Sequence, residues 1–155
     1  MSNKDATLRN FMGYDMKRAF NVIQSDLNAT LQPMGLRMVT FSVLTVIRDN
    51  PGIRQSQLAD ILSIERPNLV LILDELEQNG AVKRVRASGD RRAYELSVTD
   101  AGQALSDRAI EAVDAHDTRM AEGLDRAERE ALHKALRAIE LSGGTSNDRR
   151  TVSRS

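Results

Sequence analysis

The chain has 155 residues, with 22 basic and 22 acidic side chains cancelling to no net charge, 41% apolar residues and 3% aromatics. That length and apolar share suit one packed domain or two interlocked small ones, and neutrality argues against a histone-like coat on nucleic acid while permitting one basic face. The absence of Cys excludes disulfides, thiolate chemistry and Cys-based metal sites, and the apolar runs are too short to span a bilayer.

The N-terminal MSNKDATLRN lacks the apolar region of a signal peptide, so a cytoplasmic protein is expected. Met12, Met16, Phe20, Ile23, Leu27 and Leu31 then recur at spacings of three and four and predict a helix with one apolar stripe. Pro33 and Gly35 punctuate its end. Residues 39–49 predict a second helix with Phe41, Leu44 and Ile47 inward, stopped by Asn50-Pro51-Gly52. A short helix at about residues 55–62 takes Leu58, Ile61 and Leu62 as its apolar set. After a turn at Ser63-Ile64, residues 66–79 predict a helix with the inner face Leu69, Ile72, Leu73 and Leu76, closed by Asn79-Gly80.

Two strands follow, at residues 82–86 and 94–98, joined by the tip Ala87-Ser88-Gly89-Asp90. In the second strand Tyr94, Leu96 and Val98 alternate with Glu95 and Ser97. Thr99 is placed to cap a long helix to about Gly123, with Leu105, Ala109, Ala112, Val113, His116 and Met120 along one side. Asp125-Arg126-Ala127-Glu128 has the form of a capping box and opens a last helix carrying Leu124, Leu132, Leu136 and Ile139. From residue 142 the run SGGTSNDRRTVSRS has almost no apolar residues and is expected to be disordered.

Positive charge is concentrated on the hairpin. Lys83, Arg84, Arg86, Arg91 and Arg92 stand against Asp90 alone over residues 83–92. Two short helices with a tight turn, followed by a basic hairpin, make the order of a winged helix-turn-helix, in a mainly α chain with a small β wing. A helix fits the major groove and presents its N-terminal residues to base edges, while the wing reaches a neighbouring minor groove whose negative potential attracts Arg. The remaining cations meet phosphates, which give affinity without sequence information. Lys83, Arg84 and Arg86, on the rising strand, serve either phosphates or packing.

The run DRRAYELSVTDAG at residues 90–102 resembles the D-x-R-x3-L-x-L-T-x2-G signature of MarR-type transcriptional regulators. Upstream, QSQLADILSIERPNLVLILDELEQNGAVKR at residues 55–84 is similar to that family's helix-turn-helix, and the helix order fits from about residue 8 to 141. MGYDMKRAF and GLRMVTFSVL further resemble a subgroup that controls aromatic-compound catabolism. The resemblance implies an obligate homodimer. Residues 1–35 would form an N-terminal dimerisation helix, 36–98 the DNA-binding winged domain, 99–141 the C-terminal dimerisation helices and 142–155 the disordered tail.

Carried over residue by residue, the resemblance gives Arg92 the role of minor-groove probe and Asp90 that of the carboxylate orienting it. Gln55, Ser56, Arg66, Pro67 and Asn68 match positions facing double-stranded operator DNA, and Lys83, Arg84, Arg86, Ser88 and Arg91 complete that set. Two departures stand out. Val70 and Leu71 occupy outward positions where the family often has a polar residue; they can touch thymine methyls but cannot hydrogen-bond base edges. Pro67 lacks a backbone donor, although Pro is comfortable in a first helical turn. More reliance on DNA shape and phosphate contacts is expected.

Four of the five aromatics, Phe11, Tyr14, Phe20 and Phe41, lie in the first two helices. The family places its effector pocket between the dimerisation helices and the winged domain, which would bring in Tyr14, Arg18, Met38, Phe41 and Ser42; core packing is the other reading of each. The subgroup resemblance implies a small aromatic carboxylate or its coenzyme A thioester as effector. His116 and His133, the only histidines, are read as helix-surface or interface residues rather than metal ligands. No cofactor, metal site or catalytic constellation is expected, nor a membrane partner. The expectation is therefore a homodimeric, effector-released repressor. The alternative is a ligand-independent architectural DNA-binding protein.

Overall fold

The computed structural model describes residues 4–152, with side chains through residue 143. The element order is α1 (Met12–Leu31), α2 (Met38–Asp49), β1 (Ile53–Arg54), α3 (Gln55–Leu62), α4 (Arg66–Gln78), β2 (Val82–Arg86), β3 (Tyr94–Val98), α5 (Asp100–Met120) and α6 (Arg126–Val152). Short 3-10 turns at Leu8–Asn10 and Gln32–Met34 flank α1. Two compact units divide between His116 and Asp117.

In the first unit, the apolar stripes of α2, α3 and α4 close on one core. Leu31, Leu44, Ile47, Leu58, Leu69, Leu73, Leu76 and Leu96 are fully buried there. Leu27 and Leu31 of α1 and Ala109 of α5 belong to the same core, so packing is continuous across the segment limits drawn at residues 35 and 98. The sheet is antiparallel with order β1-β3-β2. Strands β2 and β3 have the expected bounds. Strand β1 was not expected: two residues are too few to carry an alternating pattern. It pairs Ile53 with Leu96, which lets β3 anchor the wing to the start of α3.

Local chemistry fixes the helix ends. The Gln57 side chain accepts from the Arg54 N–H at 3.0 Å and starts α3. Ser63 ends α3 in the left-handed region at φ 52°, and the Ile64 N–H closes back on the Ala59 carbonyl at 3.0 Å. The tight turn between α3 and α4 follows from these bonds. Pro67 sits in the first turn of α4, where no backbone donor is needed. The Thr99 hydroxyl accepts from the Gly102 N–H at 2.9 Å and caps α5 as expected.

Gly102 has a second reason to be glycine. A Cβ there would lie 1.9 Å from the Ala81 carbonyl oxygen, because α5 starts directly against the turn that leads into β2.

Several expectations need correction. Ile61 points outward, 58% exposed, and Ala59 takes the inward place beside Leu58. The α1 stripe is buried only at its end, at Leu27 and Leu31; Phe20 remains 47% exposed, with Met12 and Ile23 also open. Helix α2 starts at Met38, α4 ends at Gln78 and α5 at Met120. Of the two readings of His116, the helix-surface one falls: it is buried, with Nδ1 2.7 Å from Asp26 Oδ1 on α1.

In the second unit, Asp125 and Glu128 form the expected reciprocal capping box, each side chain accepting from the other's N–H at 2.8 Å. Leu132 and Leu136 are exposed on α6. That helix continues to Val152, through residues expected to be disordered from 142; once a helix is running, each further residue adds a bond, and no Pro interrupts it here. Residues 153–155 of that expected tail lie outside the described residues. Among the described residues, no single helix is long and apolar enough to cross a membrane.

Candidate nucleic-acid interface

The N-termini of α3 and α4 and the wing border one cleft of about 390 Å³, lined by Arg54, Gln55, Ser56, Arg66, Val70, Arg84, Asp90, Arg92, Ala93 and Tyr94. Six of the expected DNA-facing residues thus converge: Gln55, Ser56, Arg66, Arg84, Asp90 and Arg92. Pro67 and Asn68 are exposed on the first turn of α4 beside them. Arg54 lines the cleft but was absent from the sequence reading. Its only signal was a cation just before an amphipathic helix.

The wing tip is held by its own backbone. The Ala87 N–H donates to the Ala93 carbonyl at 2.9 Å, and Gly89 takes φ +86° at the turn. Asp90 Oδ1 accepts from the Arg92 backbone N–H at 3.0 Å. Asp90 therefore braces the turn and orients Arg92 through the main chain. The Arg92 side chain stays exposed, as do Lys83, Ser88 and Arg91.

The other two wing cations are engaged. Arg86 donates to the Arg91 carbonyl at 2.5 Å and lies 5.5 Å from the Tyr94 ring centroid. Arg84 reaches back to α4, where its guanidinium meets Asp74 and also Glu77 at 2.6 Å. Burial works against that charge, but the hydrogen bonds to the two carboxylates outweigh it and raise the Arg84 pKa above its ordinary value. For Arg84 the packing role is the one realised.

Glu75, the remaining acid of that stretch of α4, is paired with Arg37, whose Nη1 lies 2.9 and 3.0 Å from its two oxygens. The three acids of α4 are thus each ion-paired, by Arg37 or Arg84, and Arg66 in its N-terminal turn is left open. Positive helix N-termini add to that field.

The expected effector residues do not share one described groove. Arg18 lines a groove of about 970 Å³ along α1 with Arg9, Asp15, Val22 and Asp26. The Tyr14 hydroxyl donates to Asp5 at 2.6 Å, with the Arg9 guanidinium 5.4 Å from its ring centroid. That bond holds the Asp5 carboxyl below its ordinary range and the phenol above its own. Met38, Phe41 and Ser42 are half-buried on α2, and the Ser42 hydroxyl donates to the Met38 carbonyl at 2.8 Å. Among the described residues no cluster of three or more His, Asp or Glu is placed to hold a metal ion.

A model of the MarR family matches residues 36–94. The chain is similar to a transcriptional repressor, CouR, solved bound to a 23-mer DNA duplex, at 38% identity and TM-score 0.86, over 90% of this chain and 99% of that one. It is also similar to CouR from Rhodococcus jostii RHA1 bound to p-coumaroyl-CoA, at 28% identity and TM-score 0.76, over 85% and 93% of the two chains. The HTH-type transcriptional repressor Rv2887 of Mycobacterium tuberculosis is 28% identical over 128 residues, 83% of this chain and 92% of that protein.

Proposed function

Because the chain belongs to the MarR family of winged-helix transcriptional regulators, we propose that it is a homodimeric repressor gripping a pseudo-palindromic operator through the cleft between α3, α4 and the wing. A member of this family is a DNA-binding regulator and not an enzyme. The observation that carries the DNA-facing assignment is the convergence of Arg54, Arg66 and Arg92 on one cleft while the acids of α4 are tied up by Arg37 and Arg84.

In this reading Gln55, Ser56, Arg66, Pro67 and Asn68 enter the major groove with the first turns of α3 and α4. Arg92 enters the minor groove. Lys83, Ser88 and Arg91 meet phosphates, and Arg84 and Arg86 hold the hairpin in shape. Residues 36–98 are the DNA-reading segment, with α1, α5 and α6 serving the dimer. Open apolar side chains support that division: Phe11, Met12, Phe20, Val22 and Ile23 on or next to α1, and Leu132, Leu136 and Leu141 on α6.

The effector is proposed to be a small aromatic acid or its coenzyme A thioester. The p-coumaroyl-CoA bound by the related CouR supports this class, as does the clustering of aromatics in the first two helices. Ligand binding would shift the population toward a spacing of recognition helices that misses successive major grooves. The route on this chain is short. Arg37 directly precedes Met38 and grips Glu75 on α4, so a displacement at Met38, Phe41 or Ser42 passes to the recognition helix through one ion pair.

Selection from a random duplex library tests the reading, with thermal shift against a panel of aromatic acids and acyl-CoA thioesters beside it. A recovered pseudo-palindrome and a raised Tm are expected. Equal binding to every duplex with no ligand response would instead establish the architectural alternative.

A further inference from the structure

We propose that Val70 and Leu71 make the recognition helix a reader of thymine methyl groups, so that part of each operator half-site is specified by apolar contact. The inference rests on the DNA-binding reading above and adds specificity-determining residues to it.

Helix α4 turns Leu69, Ile72, Leu73 and Leu76 into the core. Among its outward side chains are two rows at a spacing of four: Arg66, Val70 and Asp74, and Pro67, Leu71 and Glu75. Each row starts at the open N-terminal turn and reaches an acid in the third turn. Asp74 is held by Arg84 and Glu75 by Arg37, so the third turn faces ion-pair partners within the chain. Approach to DNA is left to the first two turns. In the second turn the outward residues are Val70, 37% exposed, and Leu71, 67% exposed.

A single exposed Leu or Val is ordinary on a protein surface. Here two adjacent ones stand on the outward face of one helix, and Val70 lines the same cleft as Arg66 and Arg92. Neither can donate to or accept from a base edge. Of the groups displayed in the major groove, the C5 methyl of thymine is the one an apolar side chain matches. Pro67 next to this pair also lacks an N–H to offer. The chemistry at the centre of the helix therefore favours thymine at the facing positions.

The test uses the full-length protein and a duplex it selects from a random library. Each thymidine of the half-sites is replaced singly by deoxyuridine, which keeps base pairing and removes only the methyl. The wild type is expected to bind about fourfold more weakly per contacted methyl, the fold-change of one buried methylene. A Val70→Ala/Leu71→Ala variant should bind the thymidine duplex more weakly and lose nothing further on the deoxyuridine one. Wild-type affinity indifferent to every replacement would overturn the inference while the DNA-binding reading stands. A variant that still discriminates would overturn the assignment to these two residues. Recovery of no duplex at all would sink the DNA-binding reading itself, and with it this inference.

Discussion

Arg84 on the wing strand β2 is ion-paired with Asp74 on the recognition helix α4. The pair links the two parts of the molecule that must meet DNA together, and Glu77 makes the link a clamp. It also hides negative charge on the helix proposed to enter the groove. The wing's position beside α4 is thus set by a charge that local sequence leaves between phosphates and packing.

The clamp leads to an expected double-variant result. Arg84→Ala should weaken operator binding by unmasking Asp74 and Glu77, and adding Asp74→Asn should recover part of the loss. The slope of log affinity against log salt should change by much less than the roughly two units expected if each subunit of the dimer lost a phosphate contact. Binding measured across a salt series decides it. No recovery, with a slope reduced by about two units, would return Arg84 to the phosphates.

Gly102→Ala should destabilise the fold by about 2–3 kcal/mol, as overpacking does in a tight site. The added Cβ would overlap the Ala81 carbonyl oxygen, a backbone atom that cannot swing aside. Urea unfolding measures this directly, and an unchanged midpoint would mean that α5 does not start against that turn. The glycine that ends the sequence signature is, on this account, a packing residue at the joint between wing and α5.

Tyr14 and Asp5 give a pH signature. The Asp5 pKa is lowered, first by the Tyr14 hydrogen bond, so its contribution is present above the ordinary value of 3.8 and lost as pH falls through the lower folded value. The Tyr14 pKa is raised, first by the bond to Asp5, so its contribution is complete below 10.0 and lost as pH rises through the higher folded value. The contact is therefore intact between those limits. In a 295 nm titration, the wild type minus Tyr14→Phe difference should show a midpoint above 10.0, falling back in Asp5→Asn. A midpoint at or below 10.0 in the wild type would contradict the contact.

What was legible in the sequence was what local pattern encodes. The strands at residues 82–86 and 94–98 and the capping box at Asp125 and Glu128 follow from alternation, turn residues and short spacing. Ile61 was misplaced because an eight-residue helix is too short for its apolar spacing to choose between Ile61 and Ala59. The Arg84 clamp was open between two readings because its partners lie on another element, seven and ten residues back. His116 and Asp26 are 90 positions apart, and no local pattern announces their contact. The basic wing was visible, but the division of its cations into three open and two engaged depended on tertiary geometry.

DNA recognition by the wing is decided by the affinity of Arg92→Ala for the selected operator, measured by fluorescence anisotropy at physiological salt. The wing-tip Arg lines the cleft with its backbone fixed by Asp90 and its side chain exposed. Its loss should weaken binding by about tenfold or more while circular dichroism and dimer mass stay as in the wild type. Wild-type affinity in a folded, dimeric Arg92→Ala protein would take the wing out of DNA recognition and contradict the account.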